Sequence, residues 1–154
     1  MEVRPATAAD ADLLLAWAND PTTRAAGFHP DPISLATHRR WLARWLAAPR
    51  RRLLIGVDEG EPIGLVRLDR DEEGRVETGI SVARDARGRG LGRMLLAAAL
   101  EAARADPALG ARSFVARIRL DNPASIALFT GAGFHLTART ERGGVPFLVY
   151  ERAR

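Results

Sequence analysis

The apolar positions keep a helical period through the first third of the chain and then switch to alternation. Leu13, Leu14, Trp17 and Ala18 fall at helical spacing, as do His38, Trp41, Leu42, Trp45 and Leu46. Thr7, with Asp10 three residues on, marks the start of the first helix, which stops before Pro21. Ser34 caps the second, "LATHRRWLARWLAA", which ends at Pro49. "EVRPAT" ahead of them reads as a short edge strand, and "NDPTTRAAGFHPDP" between them as a loop. Beyond Pro49 the pattern changes. "RRLLIGV" and "IGLVRLD" form a hairpin about "DEGEP", and "RVETGISVA" is a third strand. A helix follows from about Leu91 to Ala105, with Leu91, Leu95, Leu96, Ala99 and Ala103 on one side. "SFVARIRL" alternates as a strand. Asn122 and Pro123 open a helix that ends at "TGAGF", and "HLTART" and "PFLVYER" close the chain as a hairpin.

The order is therefore β-α-α-β-β-β-α-β-α-β-β: a single α/β domain over residues 1–154, with one mixed sheet and helices on both faces. The strand–loop–helix–strand unit around the third helix is expected as a right-handed parallel crossover. The length of 154 residues suits one core. No apolar run approaches the ~20 residues that span a bilayer, and no export signal opens the chain. Cysteine is absent, which removes disulfides and thiolate chemistry and fits a cytoplasmic location. No metal site is expected. The formal charge is +4, and all 23 basic residues are arginine. That excess is too small and too spread to point to nucleic acid.

One stretch is unusual. "DARGRGLGR", residues 85–93, alternates glycine with bulkier residues directly ahead of a helix. Unpaired amides at a helix N-terminus attract anions, and glycines let an anion approach the main chain. Three readings compete: a solvated tight turn, a dinucleotide fingerprint and a coenzyme A loop. The fingerprint needs G-x-G-x-x-G in a first βαβ unit, but its third glycine would be Arg93, and this unit follows two helices and three strands. A Walker A loop needs a lysine, which the chain lacks.

Arg87-x-x-Gly90-x-Gly92 resembles the pyrophosphate loop of the GCN5-related N-acetyltransferase (GNAT) superfamily. "DNPASIALFTGAGF" resembles its second signature, matching at Asn122, Ser125, Leu128, Phe129, Gly133 and Phe134. The element order agrees along essentially the whole chain. The resemblance implies acetyl-CoA as cofactor and central parallel strands that splay to admit the pantetheine arm. It implies backbone contacts at Ile80, Ser81 and Val82, and a pyrophosphate held by Gly88, Arg89, Gly90, Leu91, Gly92 and Arg93 with Arg87 alongside. Asn122 and Ser125 would touch the arm or the nucleotide, and Leu128 and Phe129 would lie near the thioester.

Acetyl transfer needs a neutral amine, a donor for the developing oxyanion and a proton for the departing thiolate. The Val82 N–H is the candidate donor. Many family members carry a tyrosine acid where this chain has Phe129, so Tyr150, its only tyrosine, is the remaining candidate; the alternative is a packed Tyr150 and a proton from water. Glu77 is the best base, on the strand face shared with Gly79 and Ser81, with an exposed ion-paired glutamate as the competing reading. On the acceptor side, Trp17, Asn19, Asp20, Arg24, His38 and Trp41 resemble acetyltransferases of nucleotide-linked amino-sugars, as in the pseudaminic-acid pathway. Arg24 suits a phosphate or a carboxylate, and His29 and His38 titrate near neutrality. Set against this, the tryptophans suit helix packing, and His38 a structural position. A ribosomal-protein type of N-terminal acetyltransferase and a non-catalytic CoA-binding module are the other readings. The expected partner is a small-molecule or peptide amine, and homodimers are common in the superfamily.

Overall fold

The structure, a computed structural model, describes residues 1–27 and 29–154. Seven strands form one sheet: β1 (Glu2–Pro5), β2 (Arg51–Asp58), β3 (Glu61–Arg70), β4 (Arg75–Val82), β5 (Ser113–Arg119), β6 (His135–Arg142) and β7 (Val145–Ala153), in the order β1-β2-β3-β4-β5-β7-β6. The helices are α1 (Ala11–Ala18), α2 (Pro21–Ala26), α3 (Leu35–Ala47), α4 (Leu91–Arg104) and α5 (Pro123–Gly131). Single 3-10 turns precede α1 and the glycine stretch. Every expected element is present, and β1 does lie at an edge.

One element is additional. The segment read as a loop contains α2, with Asp20 as its cap accepting from the Thr23 N–H at 3.2 Å and Pro21 at its first position. Phe28, also in that segment, lies outside the described residues.

The two faces of the sheet carry separate cores. On one, α4 buries Leu91, Leu95, Leu96, Ala99, Leu100 and Ala103 against Val66, Leu68, Val76 and Phe114. Each fully buried leucine removes roughly 2 kcal/mol of unfavourable hydration. Gly56 and Gly64 are register partners beneath Leu95; a Cβ on either would lie 2.5 Å or 2.8 Å from a Leu95 methyl. Two bare positions thus let α4 lie close to the sheet. On the opposite face, Leu14 of α1 and Leu42 of α3 pack on Leu53, Ile55 and Leu65. Leu46, expected on the same stripe, is 41% exposed, one residue past the buried ridge. The cluster formed by α1 and α3 reaches only β2 and β3 strands of the sheet's central part, and the charged side chains of β4 and β5 on this face remain exposed or half-buried.

Only β4 and β5 run parallel, and they pair at Arg75↔Ser113, Val76↔Phe114 and Glu77↔Val115 and no further. Beyond Glu77 the two strands part. The expected splay is present, and everything that follows is built around it.

Candidate active site

The backbone of β4 presents donors to the gap on one side only. The Ala83 N–H donates to the Ile63 carbonyl at 2.8 Å, and the β3–β4 register runs Gly64↔Val82, Leu65↔Ser81, Val66↔Ile80, Arg67↔Gly79. Hydrogen-bonded and non-hydrogen-bonded pairs alternate in an antiparallel ladder. Ala83, Ser81 and Gly79 therefore direct their amides to β3, while Val82 and Ile80, beyond the last β4–β5 pair, direct theirs into the gap. This corrects one expected contact: the Ser81 backbone is used within the sheet by Leu65. Ile80 and Val82 keep theirs available.

Past the end of β4, the glycine stretch meets α4. Gly88 and Gly90 both have φ of +74°, and a Cβ on either would meet nothing within 4 Å. These positions need glycine for their left-handed backbone, and they leave open space above the first amides of α4. Gly92 is different: a Cβ there would lie 3.3 Å from Val82. The cradle and the gap join into one cleft of about 500 Å³. Ile80, Ser81, Val82, Gly88, Gly90, Leu91, Gly92 and Arg93 line it, with Leu128 and Phe129 on the α5 side. Phe129 is buried edge-on against Phe134, at a ring separation of 5.0 Å. An extended chain ending in a pyrophosphate fits this shape: open amides along one wall, an anion nest at one end and apolar side chains opposite.

Three of the arginines in the cleft already have carboxylate partners. Arg87 donates through Nε to the Val82 carbonyl at 3.0 Å and through Nη2 to Asp20 at 2.9 Å. It thus ties the end of β4 to the start of α2, leaving Arg89 and Arg93 as the freer charges beside the cradle. Arg119 pairs with Asp121 at 2.9 Å and reaches the Gly27 carbonyl at 3.3 Å. The α2 segment is therefore anchored on both sides of the splay, by Arg87 from the loop after β4 and by Arg119 from β5. Asp20 is held below the usual carboxylate range, mainly by the hydrogen bond from Arg87, against the opposing effect of burial. Asn122 caps α5, accepting from the Ser125 N–H at 3.2 Å and donating to its hydroxyl at 3.2 Å, so the two satisfy each other at the rim.

Glu77 stands where β4 and β5 part, on the face shared with Gly79 and Ser81, as its alternation predicts. Its side chain is 51% exposed and pairs with Arg117 at 2.7 Å. It lines a smaller hollow of about 220 Å³ rather than the cleft itself, and Arg117 lines both.

Several expected site residues lie elsewhere. Tyr150 is 8% exposed in the α4 core, beside Ala116 in register, and does not line the cleft. Its alternation places it on the packed face. His38 is 3% exposed, 5.3 Å from the Trp41 ring, with Nδ1 buried and unpartnered. Burial pushes its pKa down. Trp17, Trp41 and Trp45 pack on the α1–α3 core. Asn19 clamps Ile33, accepting from its N–H at 2.7 Å and donating to its carbonyl at 2.9 Å. His29 is exposed, and its carbonyl accepts from Arg24 at 3.1 Å. Of that group only Arg24 reaches the cleft.

Sequence reasoning missed Arg67. It projects from β3 across Gly79, where a Cβ would lie 2.7 Å from its Nη2. Arg67 is exposed and lines the cleft. Desolvation there pushes its pKa down, Glu77 pulls it up and Arg24 pushes it down again. The available signal was the register, which puts a bare Gly79 opposite a long cationic side chain.

A splayed parallel pair that opens onto a glycine anion nest defines an acyl-CoA-dependent acyltransferase. The chain belongs to the acetyltransferase (GNAT) domain family, whose model matches residues 1–135. It is 34% identical to an L-methionine sulfoximine/L-methionine sulfone acetyltransferase of Pseudomonas paraeruginosa (strain DSM 24068 / PA7), over 94% of this chain and 86% of that protein. Its fold is similar to that of a ribosomal-protein-alanine N-acetyltransferase from Brucella melitensis, with a TM-score of 0.84, 28% identity and full coverage of both chains. It is also similar to an acetyltransferase from Salmonella typhimurium solved with acetyl-CoA, with a TM-score of 0.80, 25% identity and coverage of 99% and 93%. The chain is a GNAT-type acetyltransferase that uses acetyl-CoA.

Proposed function

We propose that the chain transfers an acetyl group to the primary amine of a small amino acid, with methionine sulfoximine and methionine sulfone as the first acceptors to test. The observation that carries this reading is the form of the cleft. Its glycine-lined end suits a pyrophosphate, and its other end opens onto the polar, exposed face of β4 and β5, where a small polar amine fits. The amino acids themselves come from the activity named for the Pseudomonas relative.

Bound coenzyme A supplies the acetyl group as an activated thioester. The chain's residues position and polarise. Amides of Gly88, Gly90 and Gly92 with Arg89 and Arg93 hold the pyrophosphate. Ile80 and Val82 offer N–H donors along the arm; Ile80, nearer the parting of the strands, is better placed than Val82 to face the reacting carbonyl. Leu128 and Phe129 exclude water from one side. Among the described residues lining the cleft there is no tyrosine, histidine or carboxylate, so no side-chain acid is offered there. Glu77, held by Arg117, is the carboxylate nearest the acceptor face and takes the ammonium proton through water.

The amino-sugar-nucleotide reading rested on a group of residues of which Trp17, Asn19, His38 and Trp41 have packing or clamping roles. The same experiment tests it. Thiol release from acetyl-CoA is measured with methionine sulfoximine, methionine sulfone, amino-sugar nucleotides and alanine-initiated peptides. We expect the highest kcat/KM for the amino acids. Turnover confined to peptides or to amino-sugar nucleotides overturns the choice of acceptor. Glu77→Gln should lower kcat by about 10² with acceptor KM little changed; unchanged kcat rejects Glu77 as the base.

A further inference from the structure

Among the described residues, six arginines line the cleft and no carboxylate does. Arg87, Arg117 and Arg119 have Asp20, Glu77 and Asp121 as partners. Arg93 lies by the cradle. That leaves Arg24 and Arg67, which line the same cleft. Among the described residues Arg67 has no hydrogen bond or salt bridge. Arg24 donates to the His29 carbonyl, but its Nε is buried with no partner among the described residues. Desolvation in the cleft lowers the pKa of Arg67 most, Glu77 raises it, and Arg24 lowers it again. Two like charges that line one cleft, one with an orphaned donor and the other sharing Glu77 with Arg117, leave donors open to a bound anion.

Coenzyme A's phosphates do not meet that need. Arg67 lies across Gly79, just beyond the last β4–β5 pair at Glu77. At ~3.3 Å per residue, Gly79 is about 10 Å from Val82, and the cradle begins further on. The neighbouring Ile80 amide, by contrast, points into the gap beside it.

We propose that Arg24 and Arg67 form an anion-binding subsite for the acceptor, selecting amines that carry an oxyacid anion and rejecting polycationic ones. The anion is the carboxylate of an amino acid or the phosphate of a nucleotide-linked amine; its chemistry is shared, and its source is for experiment to separate. Held on Arg67, the carboxylate of an α-amino acid sets its amine two bonds away, beside the Ile80 amide. This inference rests on the acetyltransferase reading but is read out by binding as well as turnover.

The test uses protein saturated with coenzyme A and isothermal titration with paired ligands: methionine sulfoximine against its methyl ester, and a nucleoside-diphosphate amino-sugar against the free amino-sugar. We expect the anionic member of one pair to bind at least about tenfold more tightly, the loss expected for a charged hydrogen bond. Arg67→Met should abolish that preference and leave coenzyme A affinity within about twofold. Gly79→Ala keeps both arginines but displaces the Arg67 guanidinium, and should weaken the same preference. Equal binding within both pairs overturns the subsite, as does an Arg67→Met loss confined to coenzyme A. If the anionic ligand binds selectively yet no amine in the panel is acetylated, the subsite stands and the acceptor reading fails. If amines are acetylated with no dependence on their anion, the reverse holds.

Discussion

Gly90 joins backbone geometry to cofactor chemistry at a single residue. Its φ of +74° strains any side chain, aspartate less than most, and a Cβ there meets nothing. Gly90→Asp should therefore fold, with a stability loss of roughly 1 kcal/mol, while placing a negative charge where the pyrophosphate sits. We expect its thermal shift with coenzyme A to vanish; a shift of wild-type size would show that the anion is held elsewhere. His38 gives a prediction of opposite kind. Burial lowers its folded pKa, so the unfolded chain binds more protons below about pH 6.5. Its contribution is present above that pH and is lost as pH falls through and below it. The urea midpoint should drop between pH 7 and pH 5, and His38→Leu should flatten part of that slope. An unchanged slope would place the acid sensitivity elsewhere. Both residues stood out in the sequence, but only Gly90 for the right reason. A histidine on an apolar stripe carries no mark that separates a ligand from a packed ring.

At the scale of elements, α2 is the instructive case. "PTTRAA" is too short for a periodic signal, since six residues complete less than two turns. Its only mark was the Asp20-Pro21 pair, a cap followed by a proline, which served equally well as a helix stop. Yet α2 carries Arg24 to the cleft and is fixed by Arg87 and Arg119. Asp20→Asn weakens one of those anchors while keeping a capping side chain. It should raise acceptor KM several-fold at a stability cost of about 1 kcal/mol, with coenzyme A affinity unchanged. Equal loss of acceptor and cofactor binding would mean that Asp20 serves the cradle instead. The long elements were legible because their apolar residues repeat. The site wall was not, because it depends on which polar groups face each other across strands, and register is not written in composition.

For the whole molecule, sequence pattern supplied the seven strands but not their order; β7 inserts between β5 and β6 without any periodic sign. The splay, too, was implied by family resemblance rather than by periodicity. Its consequence reaches beyond the site. The sheet consists of two blocks, β1 to β4 and β5 to β6, held edge to edge by three residue pairs and by the helices laid across them. The amides of Ile80 and Val82 face a seam without a neighbouring strand. In free protein they should exchange hydrogen quickly, though they belong to a central strand, and they should slow when coenzyme A is added while β2 and β3 hardly change. The cofactor thus acts as a rung that the polypeptide does not encode, and at a hundred times its Kd it should add about 2.7 kcal/mol to stability. The durability of the fold, read as resistance to heat or proteolysis, would then rise and fall with the supply of the molecule that the enzyme consumes.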